Sequence, residues 1–182
     1  APREAMEPTA SLIGSRWIWF AGDAPMDAPG ASRAFRGVWE LPEGTDLEET
    51  RRNGPAAVGI AAPQVGCFRR IVIIDCTGTR KPVPNHGHLI LINPEITHWE
   101  GYEPGREGCL SVPDYTGNVI RATRIKLSAQ DRYGEPLEFD MEGYEARAAQ
   151  HEIDHLDGML FVDRVVSRRT DLFRRKVYRK RG

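Results

Sequence analysis

Residues 124–158 leave the fold of this chain the least freedom. RIKLSAQDRYGEPLEFD (124–140) reads as two strands joined across a turn centred on Tyr133-Gly134. MEGYEARAAQHEIDHLDG (141–158) follows at once and reads as a helix stopped by Gly158. Upstream, RRIVIIDC (69–76) and HLILINPEI (88–96) are β-branched runs closed by turn residues, hence strands. Strands gathered ahead of one main helix predict an α+β domain rather than a βαβ series. TDLEETRRN (45–53) adds a short helix, with Thr45 as its N-cap, acids in the first turn and arginines in the last. A C-terminal helix is expected over 167–180.

No internal repeat or low-complexity linker divides the chain, so its 182 residues are read as a single domain, 1–182. Residues 1–45 form an atypical N-terminal segment punctuated by Pro, Gly and Ala. Trp17, Trp19, Phe20, Phe35 and Trp39 are expected to pack on the main core, without assignable elements. No apolar run approaches the roughly 18 residues of a spanning helix, so no membrane partner is expected. The apolar patch WIWF (17–20) is too short for a secretory core, and Glu4, Glu7, Asp23 and Asp27 argue against a transit peptide. A net charge of −1 argues against a whole-molecule electrostatic binder of nucleic acid, and no specific DNA binding is expected. Three cysteines, Cys67, Cys76 and Cys109, suggest reduced thiols rather than a disulfide framework.

Residues four apart share a helix face, so His151 and His155 can turn ring nitrogens toward one ion, with Glu152 beside them. This is the H-E-x-x-H arrangement of metal hydrolases, in which the glutamate moves protons. In a chain of this composition it arises by chance roughly once in a hundred sequences. The alternative is a solvated helix face with two incidental histidines. A metal site needs a further ligand, for which Cys109, Glu107, His86 and His88 are candidates, and spacing does not choose among them. Cys67 and Cys76, in apolar surroundings, read as small buried fillers, and His86 and His88 as loop residues.

Three segments together resemble the signature motifs of the peptide deformylases: VGIAAPQVG (58–66), EGCLS (107–111) and QHEIDH (150–155). They stand in the family's order, with the hairpin between the second and third, and the likeness covers about residues 54–180. The resemblance implies antiparallel β-sheets packed around the helix that carries the histidines. It implies Cys109, His151 and His155 as metal ligands, leaving a fourth position for water. It also implies one divalent ion: ferrous iron in most members, with zinc or nickel able to replace it. Metal-bound water would attack the formyl carbon of an N-formylmethionyl peptide, with Glu152 as general base and then acid, releasing formate. The side-chain amide of Gln64 and the backbone N–H of Leu110 would face the oxyanion. Read on its own, Gln64 is an exposed loop amide.

Tyr144 and Ala148 lie seven and three residues before His151, on its face, and should border the ion. A small Ala148 leaves room for an unbranched side chain such as methionine, with plain packing as the alternative. The substrate backbone is expected along Gly59 and Gly105 in the manner of an added strand. By the resemblance, Glu107 pairs with Arg121 to fix the Cys109 loop. Two departures stand out. Ala57 occupies a place where the family usually has glycine, which strains the backbone if φ is positive there. Residues 1–45 lack the family's opening strand, turn and long helix.

The tail SRRTDLFRRKVYRKRG (167–182) is strongly basic, with Leu172, Phe173, Val177 and Tyr178 as a partial apolar stripe. It reads as a solvated, docked helix or as a ribosome-docking helix of the kind some deformylases carry. The expected partners are therefore nascent formylmethionyl peptides and, through the tail, the ribosome. The expected setting is a bacterial-type cytoplasm, with an organelle as the alternative. A metalloprotease would need a further His or Glu ligand after His155, and the chain has neither there. An idle homologue would be expected to lack Glu152, Cys109 or Gln64, and all three are present.

Overall fold

A computed structural model of the chain describes residues 46–54 and 56–175 with their side chains, and the backbone of 17–21 and 36–40. β1 (Trp17–Ala21) and β2 (Arg36–Glu40) pair antiparallel in a sheet of their own. The expected packing of Trp17, Trp19, Phe20, Phe35 and Trp39 lies outside the described residues and side chains.

The main sheet runs β3 (Gly59–Ala61), β4 (Ile71–Asp75), β5 (His88–Cys109), β6 (Val112–Gln130) and β7 (Pro136–Glu142), each antiparallel to its neighbour. α1 (Leu47–Asn53) precedes it, and a 3-10 turn over Ala62–Val65 follows β3. α2 (Gly143–Leu156) follows β7, and then come α3 (Phe161–Arg164), α4 (Arg168–Asp171) and β8 (Leu172–Arg174). This is the expected α+β class with an antiparallel sheet. Among the described residues no helix is long and apolar enough to cross a membrane.

The unbroken apolar run of β4 has a direct cause. Side chains alternate across a strand, so Val72 and Ile74 join Ala146, Ala149, Ile153 and Leu156 of α2 in the main core. Ile71 and Ile73 point the other way and pack with Leu47 of α1, Ile60 and Ile92. A strand covered on both faces needs apolar residues at every position. Burying each such isoleucine stabilises the fold by about 2 kcal/mol.

β5 and β6 are 22 and 19 residues long and bend at register shifts near Ile92/Glu95, Ile96/His98 and Gly108/Cys109. Residues 124–130 of β6 take β7 as second neighbour, whereas 115–117 take β8. α2 lies across the sheet on small side chains, Ala146 and Ala149, and Gln150 ties it down. The Gln150 amide donates to Ala122 O at 2.9 Å and accepts from Ala122 N at 3.0 Å. Gly158, at φ 73, closes the helix as expected, with Met159 N donating to Asp154 O at 2.8 Å.

Two expectations change, and the condition set on Ala57 is resolved. The cap of α1 is Asp46 rather than Thr45: its extended backbone lets Oδ1 accept from Glu49 N at 2.8 Å, the reach a cap requires. At Ala57 the condition for strain is not met, since its φ is not positive; the non-glycine residue with a left-handed backbone there is its neighbour Ala56, at φ 57. The helix expected over 167–180 stops at Asp171, and Leu172–Arg174 instead pairs with Tyr115–Gly117 of β6. An open strand edge offers backbone partners there, and Leu172 packs on the cluster of Phe161 and Val119. Residues 176–182 lie outside the described residues.

Candidate metal centre

α2 and the end of β5 meet at Cys109, His151 and His155, whose donor atoms all lie within 4.8 Å of one another. The helix supplies two imidazoles one turn apart. The register shift after Gly108 ends β5 with Cys109 turned toward them, its Sγ 3.2 Å from His155 Nε2. Donors around one tetrahedral ion stand about 3.5 Å apart, so a small contraction would close this set on a cation. His86 and His88, two other candidates for the further ligand, are committed elsewhere. His86 Nδ1 lies 2.7 Å from Glu145 Oε2, and His88 Nε2 lies 3.0 Å from Glu48 Oε2. Cys67 and Cys76 sit in the apolar clusters, as expected of fillers, and burial pushes the Cys76 thiol up to about 12.

Glu107, the remaining candidate, is outside the donor group and instead contacts one of its imidazoles. Its Oε2 meets His151 Nδ1 at 2.9 Å, which leaves Nε2 of that ring for an ion. Arg121 donates to both Glu107 oxygens at 3.0 Å, the expected pair, and Arg147 Nη1 donates to Oε1 at 2.9 Å. Burial opposes the charge of Glu107, but His151 and Arg121 outweigh it and hold the carboxyl down at about 2. Burial likewise opposes ionisation of Cys109, and the two imidazoles overcome it, bringing the thiol to about 5. A thiolate beside two imidazoles, one oriented through its other nitrogen, is a donor set suited to a divalent transition metal.

Glu152 stands in the opposite condition. It is buried, its Oε2 has no hydrogen-bond partner, and desolvation raises its carboxyl to about 7. Gly59 makes its position possible, because a Cβ there would lie 2.5 Å from Glu152 Oε1. One cleft is lined by Glu152 and His151 together with Gln64, Leu110, Tyr144 and Ala148. Gln64 is an oriented amide and not a loose one. Its Oε1 accepts from Ala61 N at 2.9 Å, while its Nε2 points to Ser111 Oγ at 3.1 Å and Cys109 Sγ at 3.6 Å. Gly105 pairs with Val119 within the sheet and gives room to Arg147, whose Cζ would lie 2.5 Å from a Cβ there.

Sequence reasoning missed Arg147, Asp154 and Ser111. Arg147 and Asp154 stand four before and three after His151, the spacing that puts them on its side of the helix. Asp154 accepts from Arg121 Nη1 at 2.6 Å and from Arg164 Nη2 at 2.7 Å, so one network joins β6, α2 and α3. Ser111, two residues after Cys109, donates its N–H to the thiol at 3.4 Å.

A family model, Polypeptide deformylase, matches residues 44–171. The chain belongs to the polypeptide deformylase family. A peptide deformylase of Thermodesulfovibrio yellowstonii is 44% identical over 119 residues, 65% of this chain and 70% of that protein. One of Alkalilimnicola ehrlichii is 48% identical over 134 residues, 72% of this chain and 71% of its own. Among solved structures, a class I type b peptide deformylase of Acinetobacter baumannii, bound to Met-Ala-Ser, shares the fold with a TM-score of 0.60 and 40% identity. The match covers 66% of this chain and 77% of that one. The deformylase of Thermus thermophilus matches with a TM-score of 0.59 and 41% identity, over 66% and 68%. The chain is a metal-dependent hydrolase of the deformylase type, which removes the N-formyl group from the N-terminal methionine of proteins, and Cys109, His151 and His155 form a group whose donors could hold a metal ion.

Proposed function

We propose that Glu152 is the acid–base group of this deformylation and that Cys109, His151 and His155 hold the ion. The buried, unpartnered Oε2 of Glu152, on a residue that lines the cleft beside those donors, carries this reading. An ion held by these three donors would supply Lewis acidity and a nucleophilic water near neutral pH. Glu152 takes a proton on the free oxygen and returns it to the departing amine, which becomes the new amino terminus. The Gln64 amide, held from behind by Ala61 N, and the Leu110 N–H donate to the formyl oxygen as negative charge develops on it. Glu107 and Arg121 keep His151 and the Cys109 loop in place.

Tyr144 and Ala148 border the methionine side chain, and the peptide backbone runs past Gly59 and the β5 segment at Gly105. The Met-Ala-Ser bound to the Acinetobacter enzyme supports a formylmethionyl peptide as the substrate here. Ferrous iron is the proposed ion, and the mixed sulfur and nitrogen donors also accommodate zinc or nickel. Bacterial relatives support a cytoplasmic setting.

Protein loaded anaerobically with ferrous iron is expected to release formate from formyl-Met-Ala-Ser. Glu152→Ala should abolish release while metal analysis shows the ion still bound; an active variant would remove Glu152 from this role. The exposed Arg168, Arg169 and Arg174 support ribosome docking through the basic tail. Replacing all three with Gln should weaken co-sedimentation with ribosomes and leave peptide turnover intact; unchanged sedimentation would dismiss docking.

A further inference from the structure

We infer that Arg106 and Arg175 form a cationic rim at the mouth of the cleft and select substrates with an acidic residue shortly after the formylmethionine. The inference rests on the deformylase reading above and concerns which peptides the same site prefers. Both arginines are exposed, and both line the cleft that contains Glu152 and His151. They reach it from different parts of the chain. Arg106 lies in β5, three residues before Cys109, and Arg175 follows β8, whose pairing with β6 carries the C-terminal segment to the site. Arg175 N donates to Asp114 O at 2.7 Å, which anchors its backbone.

Their side chains are positioned too. The Arg106 guanidinium sits 3.6 Å over the Phe173 ring, and its Nη1 reaches Thr116 Oγ1 at 3.4 Å. The Arg175 guanidinium lies over Gly108, where a Cβ would come within 2.5 Å of Nη2, so the missing side chain is what lets it approach the cleft floor beside Cys109. Among the described residues no carboxylate stands within ion-pair distance of Arg106 or Arg175. Arg147, which also lines the cleft, differs in being neutralised by Glu107 at 2.9 Å. Among the described residues, then, neither positive charge of the rim has an acidic partner.

A formyl group placed at the Cys109, His151 and His155 donors leaves the following residues to run outward past Gly108. An extended chain advances about 3.4 Å per residue, so the second and third side chains after methionine fall within reach of two long guanidinium arms. Carboxylates there gain charge-assisted, bidentate contacts, and lysines meet repulsion.

The test compares formyl-Met-Ala-Glu, formyl-Met-Ala-Ser and formyl-Met-Ala-Lys as substrates at low salt. It also measures binding of the products Met-Ala-Glu and Met-Ala-Lys by calorimetry. The parent should favour Glu over Lys by about tenfold in kcat/KM and in Kd, the scale of one to two exposed charge contacts. Arg175→Gln and Arg106→Gln should each shrink that ratio several-fold, Arg175→Lys should keep most of it, and about 0.5 M salt should compress it. The ratio within each variant is the readout, so a general loss of activity does not count. Formate release with no Glu-over-Lys preference, or a preference untouched by both Gln variants, overturns the rim. Absence of formate from all three peptides overturns the deformylase reading instead, and the calorimetric ratio then decides the rim by itself.

Discussion

Glu107 and Glu152 are two buried carboxylates within one metal centre, and they are in opposite states. Glu107 is saturated by Arg121, Arg147 and His151 and is held ionised down to about 2. Glu152 leaves one oxygen without a partner and is raised to about 7 by desolvation. A carboxylate surrounded by donors is a rigid strut, since moving or protonating it breaks several charge-assisted bonds at once. A carboxylate buried without them gains little from its charge and exchanges a proton readily near neutrality. The contrast is what supports the proposed division of roles, Glu107 orienting His151 and Glu152 moving protons, although both are glutamates lining the same cleft.

The largest effect should come from the unpartnered side. Glu152→Gln should cut formate release by about 10³ or more while the unfolding midpoint in urea stays the same or rises, because an unsatisfied buried charge is removed. A loss of stability there would equate the two glutamates and end the comparison. Gly59→Ala should follow, lowering kcat by about 10² with metal content unchanged, as the new methyl displaces Glu152. Full activity in that variant would mean that the placement of Glu152 tolerates a shift.

On the saturated side, Glu107→Gln should weaken metal affinity by about 10- to 100-fold, measured by competition with a chelator. It should also destabilise the protein by about 3 kcal/mol, because Arg121 and Arg147 lose a charged partner. Glu48 extends the same logic to a residue outside the cleft. Burial raises its carboxyl, but Arg51 and then His88 outweigh this and lower it from 4.5 to about 2. A depressed carboxyl contributes stability that is present above about 4.5 and lost as pH falls toward 2. Glu48→Gln should therefore flatten the dependence of the unfolding free energy on pH over that window, the smallest of the four effects.

The elements read in advance were those whose signals are local. The hairpin around Tyr133-Gly134, the strands at β4 and the start of β5, and α2 with its glycine stop all follow from patterns a few residues long. The C-terminal segment misled for the same reason. Leu172 and Phe173 in a basic run suit a helical stripe, and only the open edge of β6 turns 172–174 into a strand. The cap at Asp46 instead of Thr45 is a slip of one position, and the left-handed angle of Ala56, with none at Ala57, was equally out of reach. Each turns on a backbone angle that neighbouring residue types do not specify.

The sequence by itself determined that two imidazoles share a helix face with a glutamate between them, because the helical period makes residues four apart neighbours whatever surrounds them. Spacing left open which of Cys109, Glu107, His86 and His88 joins the histidines; the motif resemblance pointed to Cys109, and the tertiary structure brings it to them while leaving Glu107 saturated and Glu152 an orphan. Both outcomes depend on how the bent β5–β6 ribbon crosses α2. That crossing sets the distances and the donors around each side chain, and through them its charge state.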